Sequence, residues 1–253
     1  MSKLPSTHKF IDLSDYGRPI ARLIANLLKD TSITPIHVTI WFVIAGLIAI
    51  YCMLFNHLWF AAFFLILKSI LDAADGELAR LKNTPSYTGR YLDSVSDIIL
   101  NLLVFMALWY TTDAHFIYTF IAFLGIQLQG TLYNYYYVIL RNNLNGDTTS
   151  RVFEHDIPIA LKGETQESVN VLFALYKFFY GTFDKVIHRL DPSAYKSKLF
   201  PNLFMSAISI FGLGFQLLII SVMLVLGYKD AIISFFIWYT LLIFIFIGIR
   251  KLL

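Results

Sequence analysis

Apolar residues fall into long runs separated by short polar segments, on the length scale of helices that cross a bilayer. Six stretches reach that length. The first, Ile36 to Phe55, contains no charge. The second runs from Leu58 through Leu71 with one Lys68, meets Asp72, and continues as helix to Ala79. The third, Tyr91 to Tyr110, carries Asp93 and Asp97 in its first turns. The fourth, Phe116 to Leu140, holds Gln127, Gln129 and Asn134, which are expected to bond between helices. Leu203 to Gly227 and Ala231 to Ile249 complete the set.

Two other segments are apolar on one face only. Ile20, Leu23, Ile24, Leu27 and Leu28 repeat at helical spacing opposite Arg22, Asn26 and Lys29, and Pro19 suits the first turn. This reads as a helix lying on the cytoplasmic leaflet. Between Val169 and Leu190, residues Leu172, Leu175, Tyr176, Phe179, Phe183, Val186, Ile187 and Leu190 form one face, expected to pack on the bundle. The polar stretch from Arg141 to Asn170 reads as a loop. Tyr133, Tyr135, Tyr136 and Tyr137 read as an aromatic belt at the membrane surface.

The expected fold is therefore an all-α integral membrane protein, a six-transmembrane-helix bundle with an N-terminal amphipathic interfacial helix. Residues 1–253 form a single membrane domain. Its parts are a cytoplasmic N-terminus (1–34), four spans (36–140) with an acidic segment at 72–97, a cytoplasmic loop with the amphipathic segment (141–198), and two final spans (199–253). Of the 20 Lys and Arg residues, only Lys229 then falls outside the cytoplasmic side, and Lys68 lies within a span. Such asymmetry puts both termini in the cytoplasm.

Composition agrees. Of 253 residues, 57% are hydrophobic and 15% charged, against about 25% charged in a soluble domain. That excludes a disordered tail, a basic nucleic-acid binder and an ordinary soluble enzyme. A net charge of +3 argues for no polyanionic partner and no nucleic acid. Cys52 stands alone, so no intrachain disulfide forms. The first 19 residues are polar and mixed in charge, unlike a secretory signal.

The informative chemistry lies between Leu71 and Asp97. Four aspartates fall at the cytoplasmic ends of two consecutive spans, where a carboxylate near lipid is costly. Asp72 and Asp75 are three apart and share a helical face; Asp93 and Asp97 are four apart and share another. A short turn around Thr84 and Pro85 makes the two helices neighbours, so four carboxylates can converge. That many hard oxygen ligands suits Mg²⁺ or Mn²⁺, with room for two divalent ions. Gly76 and Ala79 lie on the face of Asp72, and Gly89 one turn before Asp93, leaving a slot for a flat ring. Arg80 is placed to hold a phosphate. Together these describe a nucleoside diphosphate site.

The spacing resembles the signature of the CDP-alcohol phosphotransferase (CDP-alcohol phosphatidyltransferase class I) family. Asp72, Asp75, Gly76, Ala79, Arg80, Gly89, Asp93 and Asp97 match it without a gap. The six-span topology and the interfacial helix are also similar to that family. One departure is at Thr34, Pro35 and Ile36, where many members carry Thr-Pro-Asn; Thr39 is kept. The resemblance implies that Asp72, Asp75 and Asp93 are metal ligands with Asp97 beside them, and that Asp97 is the general base. It implies that Gly76, Ala79, Arg80 and Gly89 contact CDP. The reaction it implies is attack of an alcohol hydroxyl on the phosphate distal to cytidine, with CMP leaving.

The expected function is phospholipid synthesis by an integral membrane enzyme, with CDP-diacylglycerol as donor and a small polar alcohol as acceptor. A soluble CDP-choline or CDP-ethanolamine donor with a lipid alcohol would use the same site. An ion-coupled transporter also carries membrane acids, but its acids usually sit near the midplane and give no reason for small residues in register. Arg141 and Arg151 follow the fourth span and could hold a phosphate on the acceptor, or could be ordinary cytoplasmic charge. Homodimers are common in the family. Lys68, one turn before Asp72, could pair with it or only balance charge.

Overall fold

The computed structural model describes residues 9–144, 154, 156–197 and 200–253. Among them every regular element is helical. A short 3₁₀ turn at Leu13–Asp15, capped by Asp12 accepting the Ser14 N–H at 3.0 Å, leads into α1 (Arg18–Leu28). Then follow α2 (Pro35–Leu54), α3 (Leu58–Lys82), α4 (Tyr87–Thr111), α5 (Phe116–Asn143) and α6 (Gln166–Leu190). The chain ends with α7 (Asn202–Ile208), a 3₁₀ turn at Ser209–Phe211, α8 (Leu213–Val225), α9 (Ile232–Thr240) and α10 (Leu242–Leu252).

Four helical stretches are long and apolar enough to cross a membrane: α2, α4, α5 and the run Lys229–Leu252 that contains α9 and α10. The stretch of α7 and α8 would be a fifth, bent by 52°. Helix α3 has 25 residues, about 37 Å at 1.5 Å each, so length is not its limitation. It carries Lys68, Asp72, Asp75, Glu77, Arg80 and Lys82 from its middle to its end, too much charge for an ordinary span.

Local chemistry sets the boundaries near the acidic segment. Thr34 and Pro35 open α2, with the His37 ring nitrogen accepting the Thr34 N–H at 3.0 Å. Asn83, in the left-handed region at φ 51°, stops α3. Ser86 starts α4 by accepting the Gly89 N–H at 2.7 Å. Helix α2 packs along both α3 and α4, whereas the backbones of α3 and α4 approach each other at few points. The short turn therefore does not make them packed neighbours. Acidic side chains cross the space between them instead.

The bend between α7 and α8 is where the N-terminal segment docks. Extended backbone at Gly212 (ψ 146°) breaks the helix. The Ile11 N–H donates to Ser206 Oγ at 3.0 Å and the Leu13 N–H to Ser209 Oγ at 2.9 Å. A Cβ on Gly214 would lie 2.0 Å from the Ser14 carbonyl oxygen, so only glycine lets the two chains come this close. Tyr133 of α5 closes the contact from the other side by donating to Asp12 at 2.5 Å.

Three expectations change in the packing. Tyr133, Tyr135 and Tyr136 are buried rather than in a surface belt, because α7, the following turn and Asp191 cover them; Tyr136 donates to Asp191 at 2.7 Å. Asn134 is exposed and bonds no other helix among the described residues, whereas Gln129 reaches Thr240 at 2.9 Å and Gln216 at 3.0 Å. Helix α6 buries Val169, Phe173 and Ile187 against α4 and α5, but Leu175 of the expected inner face points outward.

Candidate metal centre

Asp72 and Asp75 lie on α3 and Asp93 on α4, and each offers a carboxylate oxygen within 4.8 Å of the other two. Octahedral ligands at 2.0–2.1 Å from Mg²⁺ stand about 3–4 Å apart, so side-chain rotation alone closes the set. Three carboxylates this close repel by about 3 kcal/mol per pair at an effective dielectric of 20. Asp93 Oδ1 is buried and receives no hydrogen bond. A buried carboxylate oxygen without a donor, on a residue of an acidic cluster, fits a divalent cation as its missing partner. Asp75 is steered by Thr39 of α2, whose hydroxyl donates to Oδ2 at 2.7 Å.

Asp97, one turn deeper on α4, stands outside this trio. Its Oδ1 accepts from the Lys68 ammonium, which also lies 3.6 Å from Asp72 Oδ2. Lys68 is 1% exposed and sits 5.0 Å over the Phe42 ring. It thus pairs with both the first and the last aspartate, an arrangement that a count of charges along one span could not reveal.

Of the small residues, Gly76 opens onto Arg80. A Cβ on Gly76 would stand 3.5 Å from the Arg80 guanidinium, so the missing side chain leaves that cation accessible from the acidic side. Arg80 is held by Glu77 at 3.2 Å, and its Nε is buried with no hydrogen-bond partner. Glu77 is itself a hub, bonded by Arg18 of α1 at 2.6 Å. Gly89 lies at the start of α4, where its N–H is taken up by the Ser86 cap. Ala79 is half-buried on the outer turn of α3.

Two acidic struts fix the rim, and motif reading alone overlooks both. Glu164 accepts from the Ser86 hydroxyl at 2.7 Å, the Thr88 N–H at 2.6 Å and the Leu161 N–H at 3.0 Å. Burial alone would raise its carboxyl pKa; these donors outweigh burial and hold it below the usual range. Glu154 accepts from Arg90 and from the Tyr91 hydroxyl, each at 2.6 Å. Tyr180 of α6 donates to the Ser94 carbonyl at 3.0 Å, one turn from Asp97. Neither acid has a local sequence signal; Tyr180 shares the apolar face of α6.

Arg141 is buried at the end of α5 with its guanidinium 5.6 Å over the Tyr137 ring, beside the docked N-terminal segment. Arg151 lies outside the described residues.

The sequence model of CDP-alcohol phosphatidyltransferase matches residues 23–165. No curated protein matches the chain. The matched region takes in α2 to α5 and every position of the acidic motif, over more than half the length. The chain belongs to the CDP-alcohol phosphatidyltransferase family, a group of transferases.

Proposed function

We propose that the protein is a multi-pass membrane phosphotransferase that moves a substituted phosphate from CDP-diacylglycerol to the hydroxyl of a small polar alcohol, releasing CMP. The observation that carries this reading is the convergence of carboxylate oxygens from Asp72, Asp75 and Asp93 within 4.8 Å of one another, with Asp93 Oδ1 buried and lacking a hydrogen bond. Mg²⁺ or Mn²⁺ held by these three would supply positive charge to the pyrophosphate as CMP departs.

The residues around them have separate tasks. Arg80, steadied by Glu77, pairs with a phosphate of the donor, and the space over Gly76 admits it. The slot at Gly76, Ala79 and Gly89 takes the cytidine. Asp97 accepts the proton of the attacking hydroxyl, and Lys68 keeps its carboxylate in place. The oxygen of the alcohol forms a bond to phosphorus as the bond to the CMP oxygen breaks. Arg141 meets a phosphate when the acceptor carries one.

The membrane setting follows. Helix α3 counts as a span because its mid-helix charges Lys68 and Asp72 pair with each other and the site, which with the bent α7–α8 stretch makes six. Ile20, Leu23 and Leu27 of α1 are exposed, while Ala21 and Ala25 pack inward, which supports α1 resting on the leaflet. Basic residues put both termini and the site at the cytoplasmic face.

The test is CMP release by purified protein across a panel of CDP-linked donors crossed with alcohols. Activity with CDP-diacylglycerol and a soluble alcohol, abolished by a chelator and restored by Mg²⁺ or Mn²⁺, is expected. Activity only with CDP-choline or CDP-ethanolamine and a lipid alcohol would invert the lipid's place. No CMP from any combination would reject the reaction.

A further inference from the structure

The four aspartates divide into unequal groups. Three share one small volume, while Asp97 is engaged by Lys68. The Lys68 ammonium stands between Asp97 and Asp72 Oδ2, and is sealed from solvent beneath the Phe42 ring. A second divalent ion would need oxygens from this same gap. An ammonium there offers three donors and no acceptor. It takes up an Asp97 oxygen, repels a second dication, and is rooted on α3 one turn from Asp72 with only 1% of its surface exposed.

Given the function proposed above, we infer that this enzyme holds one divalent ion, on Asp72, Asp75 and Asp93, and that Lys68 is its permanent second cation. Lys68 is a positioning residue. It keeps Asp97 out of the ion's coordination shell, so that the carboxylate stays available to the acceptor hydroxyl. This departs from the two ions that four converging carboxylates would otherwise accommodate.

Mn²⁺ binding, read by electron paramagnetic resonance on the purified full chain in lipid nanodiscs, tests it. The parent should bind one Mn²⁺ per chain, and Lys68→Arg should do the same. Lys68→Met, which removes the charge and keeps the apolar stem, should bind two. Asp97→Asn should still bind one, with affinity within about threefold of the parent, because Asp97 is not a ligand. Should Lys68→Met fail to fold, the parent and Asp97→Asn decide the matter. Two ions on the parent, one on a folded Lys68→Met, or a tenfold loss of affinity in Asp97→Asn would each overturn the inference. A parent that binds two ions and releases CMP leaves the reaction standing and removes only this inference. A parent that binds no metal removes both.

Discussion

Thr39 of α2 hydrogen-bonds the acidic trio through Asp75, and its replacement by Val gives a clean measure of that contact. The change keeps the branched shape and deletes a hydroxyl. That hydroxyl has a single proton, and the 2.7 Å contact to Asp75 Oδ2 takes it in preference to the 3.2 Å contact to the Pro35 carbonyl. Both side chains are buried, at 2% and 8% exposure, so water cannot replace the bond. A hydrogen bond to a charged group contributes about 1.5–3 kcal/mol. If the bond chiefly orients Asp75 toward the ion, its loss falls on metal affinity. At about 1.4 kcal/mol per decade, Thr39→Val should raise the Mn²⁺ Kd by about 10- to 150-fold. Thr39→Ser, which restores the donor, should lie within about threefold of the parent. The assay is Mn²⁺ titration followed by electron paramagnetic resonance. A Thr39→Val Kd within twofold of the parent would refute the claim that α2 orients the site.

Three further outcomes concern stability, each read by thermal unfolding in detergent. Gly214→Ala should cost about 1–3 kcal/mol by pushing the Ser14 carbonyl away, whereas Gly248→Ala, whose new methyl meets nothing within 4 Å, should be neutral. Equal effects would show that the N-terminal segment is not docked. Arg250→Met strands the fully buried Asp191, bonded through Nε at 2.6 Å, and should cost about 3–5 kcal/mol; adding Asp191→Asn should recover part of it. Burial, then the nearby Glu154 carboxylate, push Asp184 on α6 up to about 7, above its ordinary value of 3.8. The folded state therefore favours the protonated acid, and this contribution, complete below about pH 4, fades as pH rises through 7. Asp184→Asn should match the parent at pH 4 and exceed it by about 1–2 kcal/mol at pH 8, after allowance for partial solvent screening. A constant difference across that range would count against it.

The helices were legible because their apolar runs are long, and the aspartates because their spacings are short and helical. Asp72, Asp75 and Asp93 meet where the periodicity places them. Partners distant in sequence were not legible. Lys68 finds Asp97 across 29 residues, Arg18 finds Glu77 across 59 and Glu164 finds Ser86 across 78. No local pattern encodes such pairs, since each depends on how whole helices pack. The tyrosines of α5 look amphipathic in isolation; burial follows from Asp191 and Phe204 arriving against them. Two signals were available in the letters themselves. A lysine inside an apolar run one turn before an aspartate asks for a buried partner. The Gly212 and Gly214 pair marks a break with close backbone approach.

The hydrogen bonds from Ile11 and Leu13 to Ser206 and Ser209 join positions 195 and 196 residues apart. At ribosomal speeds of about 5–20 residues per second, roughly 10–40 s separate the synthesis of the two sides. During that interval the early segment has no groove to enter, and Arg18 is still without the anchorage that leads it to Glu77. The protein is thus assembled before it is fastened: the segment from Ile11 to Ser14 acts as a latch thrown only after the late helices have been made.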